Sequence, residues 1–185
     1  MKTFLLSITL LSTAVTLRAA PAAPPAPAAQ LSQFKLGGYI TGPQVTLDNA
    51  AGKAVLIDAW GIHCGPCLAS LPEIEKIAKR YNGRLLVFGA HSQGGSAAEV
   101  IEVVKKNKLS YTITQGVNSP IPFNGIPRVF VFDTKGALVF TGSPFDPQFE
   151  HSLHKATAGA TGAAPPSGLN GSKPSGLDAL KRPGI

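Results

Sequence analysis

The sequence predicts an α/β sandwich around a mixed sheet. Two compact apolar runs read as strands buried on both faces, a helical period lies between them, and a strand–turn–strand signal comes late in the chain. The first run, AVLIDAW within residues 53–60, is short and bounded by turn residues on its amino-terminal side, as buried strands are. A weak strand region at 39–47 and a turn at 48–52 precede it. Over 65–81, Leu71, Ile74, Ala78 and Tyr81 recur at spacings of three and four, which predicts a helix, and Asn82-Gly83 ends it. RLLVFGA at 84–90 is the second buried strand. Ser96-Ala97-Ala98-Glu99 is a capping box opening a helix to about 107, and 108–113 reads as a short strand. Strands at 128–133 and 137–142 are joined by Asp133-Thr134-Lys135-Gly136, and a last helix runs from 146 to about 157.

A chain of 185 residues is long enough for one domain with a real core. Apolar residues make up 44% and charged residues 15%, a globular balance diluted by Ala, Pro and Gly at both ends. The formal net charge is +7, but Lys2, Arg18, Lys173, Lys181 and Arg182 lie outside the predicted domain. Lys105, Lys106 and Lys108, the densest basic group, fall at a predicted helix end, where they suit the helix dipole. No concentrated basic face with aromatics beside it is visible, which argues against nucleic-acid binding.

The chain opens like a secretory signal: Lys2, an apolar stretch over 4–17, then small residues at Ala19, Ala20, Ala22 and Ala23. The stretch is shorter than the ~20 residues that span a bilayer. Cleavage after Ala22 is one option, and an uncleaved amino-terminal anchor is the alternative. The organisation expected is a signal at 1–22, a Pro/Ala linker at 23–33, a folded domain at 34–156 and a disordered tail at 157–185.

The only two cysteines, Cys64 and Cys67, stand in Cys64-Gly65-Pro66-Cys67. A structural disulfide stabilises chiefly by closing a long loop of the unfolded chain, so a bridge this short reads instead as redox chemistry or as half of a metal site. The motif follows the first buried strand and opens the predicted helix. A helix amino terminus favours a thiolate, which makes Cys64 the expected nucleophile. Cys67 lies one turn on, close enough to bridge to it, and Pro66 fits a first turn, where its missing N–H costs nothing.

These residues resemble the thioredoxin superfamily over nearly all of 39–155. Asp58 stands six residues before the first cysteine, Trp60 four before it and Pro72 eight after it, and Gly125-Ile126-Pro127 precedes a strand hairpin. Gly52-Lys53 and the export signal look most like the TlpA/ResA branch of exported thiol-disulfide reductases, which often serve cytochrome c maturation. The resemblance implies a thioredoxin-like three-layer sandwich with a central mixed sheet and flanking helices. It also implies a Cys64–Cys67 disulfide, proton exchange between Asp58 and Cys67, and a cis Pro127 that lets the backbone of Ile126 pair with substrate. Each has a plainer reading: Asp58 as a surface strand-end residue, Pro127 as a trans proline at a strand start. Trp60 reads equally as a shield of the disulfide or as core filling, and Pro72 as a bend in its helix.

One departure is plain. The family usually carries Trp directly before the first cysteine, and here His63 stands there. An imidazolium at that place favours the Cys64 thiolate and makes the protein more oxidising; the plainer reading is an exposed loop histidine. His91 follows the second buried strand, at the end where sites collect in α/β sheets, although such a histidine is more often a loop residue.

The function expected is an exported, monomeric protein-disulfide reductase of the periplasm, without cofactor or metal. Its partners would be a client disulfide or dithiol and a membrane-embedded electron donor. The alternatives are a disulfide oxidase or isomerase, favoured by His63, and a copper-binding module using the cysteines with His63 or His91.

Overall fold

The computed structural model describes residues 29–162. The expected signal, most of the linker and most of the tail lie outside those residues. In chain order the elements are β1 (Lys35–Leu36), β2 (Tyr39–Thr41), β3 (Ala54–Trp60), α1 (Gly65–Arg80), β4 (Leu85–His91), α2 (Ala97–Asn107), β5 (Thr112–Thr114), β6 (Val117–Asn118), β7 (Arg128–Phe132), β8 (Leu138–Gly142) and α3 (Gln148–Thr157). Short 3-10 turns occupy Leu31–Gln33 and Leu47–Ala50.

Six strands form a mixed sheet in the order β2-β5-β4-β3-β7-β8. β3 pairs in parallel with β4, and β4 with β5. β7 is antiparallel to β3 and to β8, and β2 is antiparallel to β5. β1 and β6 make a separate two-stranded ribbon. The fold class is therefore the one expected, and the order explains the layering. The crossovers β3-α1-β4 and β4-α2-β5 step across the sheet in one direction, so right-handed connections put both helices on the same face.

Alternation along the central strands divides the core in two. Leu56 and Trp60 of β3 join Leu71, Ile74 and Ile77 of α1, Val100 of α2 and Leu153 of α3 in one cluster. Val55 and Ile57 face the other way, with Phe88, Phe130 and Phe132. That second face is covered by non-helical chain: Leu31, Leu36, Val45, Leu47 and Phe123 pack against it. Phe34 is buried edge-on to Phe130 and Phe132.

Four boundaries differ from expectation, each for a visible reason. The linker was expected to run to 33, but the Leu31 N–H donates to Gly136 O (2.8 Å), Leu138 N–H donates to Ala29 O (2.8 Å), and Gln30 bridges to Ala137. The β7–β8 turn thus captures its last residues. The tail was expected from 157, yet Thr157 closes α3 and Thr161 N–H donates to Gly52 O (3.0 Å). The strand expected at 108–113 begins only at Thr112, because Lys108 caps α2 in a left-handed conformation (φ 53°) and Glu75 holds Ser110. Of 39–47 only Tyr39–Thr41 is strand. β1 and β6, two residues each, carry no period that sequence reading could detect.

Candidate active site

β3 delivers its carboxyl end to the motif. The seven-residue strand is buried throughout, and Gly61-Ile62-His63 then turns the chain into α1. Cys64 caps that helix: its Sγ accepts from the Cys67 N–H (3.2 Å), while Pro66 occupies the first turn. The sulfur therefore sits on the unpaired donors at the positive end of the helix, the place that stabilises a thiolate in the reduced protein. Cys64 and Cys67 are joined in a disulfide with a Cα–Cα separation of 5.2 Å.

The two sulfurs are not equivalent. Cys64 is 9% exposed and Cys67 is fully buried. Gly65 and Pro66 between them are exposed, as is His63. Attack from outside can reach Cys64, whereas Cys67 faces the core and can reach only its neighbour.

The Ile126–Pro127 bond is cis. It lies across from the disulfide, with the Ile126 carbonyl oxygen 3.7 Å from Cys64 Sγ. Both residues are half-buried just before β7. The segment thus brings the Ile126 backbone to the reactive sulfur.

Asp58 lies wholly inside the fold, so the surface reading of this residue is overturned. Neither carboxyl oxygen has a hydrogen-bond partner in the protein. Burial in this apolar setting pushes its pKa up from 3.8 to about 7. A carboxyl that gains and loses its proton near neutrality is suited to proton exchange with a thiol. Trp60, two residues on, is fully buried in the same cluster as both cysteines and lies edge-on to His91 at 5.4 Å. Its indole fills core beside Gly89 and His91.

His91 is the buried last residue of β4 and not a loop residue. Its Nε2 accepts from the Ile62 N–H at 3.4 Å, which ties β4 to the loop before Cys64. Burial, with His63 nearby, lowers its pKa and keeps it the neutral acceptor this bond requires. Gln93 does the same work one residue further: its Oε1 accepts from the His63 N–H (2.7 Å). Nothing in the sequence marks Gln93, since its partner is 30 residues away. Tyr111 was also missed; its hydroxyl is buried near Asp58 without a partner in the protein.

Among the described residues no three His, Cys, Asp or Glu side chains gather into a metal-holding group. No helix among them is long and apolar enough to cross a membrane.

A mixed sheet with a Cys-x-x-Cys at a helix amino terminus and a cis-proline facing it defines a thioredoxin-fold thiol-disulfide oxidoreductase. Comparison with known proteins agrees. The chain is 25% identical over 123 residues to the thioredoxin-like protein YneN of Bacillus subtilis, covering 62% of this chain and 71% of that protein. It is 23% identical over 124 residues to the thiol-disulfide oxidoreductase ResA of Bacillus cereus, covering 64% and 72%. The fold matches a thiol-disulfide isomerase from Corynebacterium glutamicum with a TM-score of 0.61 at 16% identity, over 72% of this chain and 97% of that one. No family model matches. The chain has the thioredoxin fold and is similar to the ResA-like thiol-disulfide oxidoreductases.

Proposed function

We propose that this chain is an exported protein-disulfide reductase, delivering two electrons from the Cys64–Cys67 dithiol to a client disulfide. The observation that carries the reading is the inequality of the two sulfurs: an accessible Cys64 on the helix end and a buried Cys67 behind it. In the forward cycle the Cys64 thiolate attacks a client sulfur, a mixed disulfide forms and one client thiolate leaves. Asp58 takes the Cys67 proton. The Cys67 thiolate attacks Cys64 Sγ, closes the Cys64–Cys67 disulfide and expels the second client thiolate, which gains a proton. Ile126 and Pro127 hold the client backbone.

Gly65-Pro66 between the cysteines matches thioredoxin, a strong reductant. The amino-terminal signal-like segment supports export, and an oxidising compartment then requires a membrane-embedded donor to renew the dithiol. The likeness to the TlpA/ResA branch points to the cysteine pairs of cytochrome c precursors as clients. The same features fit a monomer that needs no bound cofactor. The oxidase reading rests on His63, exposed directly before Cys64.

The test uses the pre-reduced full chain and a peptide holding a Cys-x-x-Cys-His disulfide. A reductase converts one peptide disulfide per protein molecule and loses this with Cys64→Ser. An oxidase leaves that peptide untouched, while its disulfide form oxidises the reduced peptide.

A further inference from the structure

Polar groups that find no partner in the protein gather around one glycine. Asp58 Oδ1 and Oδ2, Trp60 Nε1 and the Tyr111 hydroxyl are all buried and unpaired within the protein. Gly89 is the register partner of Asp58 across β3 and β4. A Cβ on Gly89 would lie 3.0 Å from Trp60 Nε1 and 3.0 Å from Tyr111 Cε2, with Ile113 Cδ1 at 2.7 Å. The phenol ring and the indole N–H therefore reach over the glycine, beside the strand that holds the carboxyl. Adjacent strands lie about 4.8 Å apart, so a phenol packed on Gly89 stands close to Asp58, whose charge acts on it. Buried polar atoms left unpaired are costly, and a buried water is held by two to four polar partners, a number these side chains supply.

We infer that Tyr111 is a positioning residue of the redox site: its hydroxyl donates, through a shared water, to the Asp58 carboxylate and steadies it to receive the Cys67 proton. The inference rests on the proton role proposed for Asp58. Burial first, then Asp58 and Glu75, push the Tyr111 pKa well above its usual value, so the phenol keeps its proton and acts as a fixed donor. Packing does not explain the hydroxyl, since phenylalanine fills the same volume. The ionisable groups facing this place from the surrounding elements are Asp58 on β3, His91 on β4, and Glu75 and the cysteines on α1. β7 contributes Val129 and Val131.

The experiment follows the Asp58 carboxyl resonance in the oxidised full chain labelled with carbon-13 aspartate, assigned by its loss in Asp58→Asn. Trp60, the sole tryptophan, gives a second readout by fluorescence. Tyr111→Phe should raise the Asp58 midpoint by about one pH unit, because the anion loses a donor. Incorporating 3-fluorotyrosine, a stronger donor of the same shape, should lower it and needs no mutation. The pH profile of client reduction should move with the midpoint in each case. A midpoint that stays put in both preparations overturns the inference. If Asp58→Asn flattens the profile while Tyr111→Phe leaves it unchanged, Tyr111 is refuted and the Asp58 role stands. If Asp58→Asn leaves the profile intact, both are refuted.

Discussion

Asp58 and Gly89 stand opposite each other in the parallel ladder of β3 and β4. A wholly buried carboxyl thus has beside it a residue that offers no side chain, and the place a side chain would take is filled by Ile113, Trp60 and Tyr111. That packing keeps Asp58 away from solvent, and burial raises its pKa to about 7.

Burial of Asp58 sets a pH dependence of stability opposite to that of an ion-paired aspartate. Its folded pKa of about 7 lies above the unfolded value, so the folded protein binds the extra proton. The stability from this group is complete below about pH 4 and is lost as pH rises through about 7. The loss is on the order of 4 kcal/mol. Thermal melts of the oxidised protein between pH 4 and 8 should show the decline, and Asp58→Asn should remove most of it.

The unequal cysteines predict unequal variants. Cys64→Ser should abolish client reduction, whereas Cys67→Ser should accumulate a mixed disulfide with the client through Cys64. Alkylation of the reduced protein, read by peptide mass, should label Cys64 well before Cys67. Equal labelling would contradict the accessibility difference.

Gly89→Ala tests the space itself. The new methyl would press on Ile113 Cδ1 at 2.7 Å and on the Trp60 and Tyr111 rings at 3.0 Å. Overpacking of this kind costs about 1–3 kcal/mol. Denaturant unfolding should register that loss together with a changed Trp60 emission.

Glu75 anchors α1 to the approach of β5. Its carboxylate accepts from Ser110 N–H and Oγ–H, each at 2.8 Å, and pairs with Lys79 at 3.1 Å. Glu75→Ala should lower stability by about 2 kcal/mol in denaturant unfolding, because two donors lose a buried partner. The redox potential should stay unchanged, as none of these groups touches the disulfide.

What the sequence made legible was what local pattern encodes. The buried runs around Asp58 and Phe88, the Ser96–Glu99 box and the Cys64–Cys67 spacing each announce themselves within a few residues. What stayed hidden depends on contacts distant in sequence. Gln93 holds His63 across 30 residues, and Tyr111 meets Asp58 only because β5 lies beside β4. Leu31–Gln33 looked like linker because the β7–β8 turn that captures it lies about a hundred residues downstream. His91 looked like a loop residue because its burial comes from Trp60 and the Ile62 backbone, not from its own neighbours.

His63 separates the two directions of electron flow. If His63 stabilises the Cys64 thiolate, His63→Ala should make the pair more reducing, read as a lower reduction potential. A potential that does not move on substitution leaves His63 as a solvated loop residue.

The most direct test of the account is the reduction potential of Cys64–Cys67, measured by equilibrating the full chain in graded dithiothreitol and glutathione buffers. A protein-disulfide reductase predicts a value near that of thioredoxin, about −270 mV. A value near −120 mV, that of a strong oxidant, would contradict the reductase reading, and a pair that forms no reversible disulfide would contradict the redox site itself.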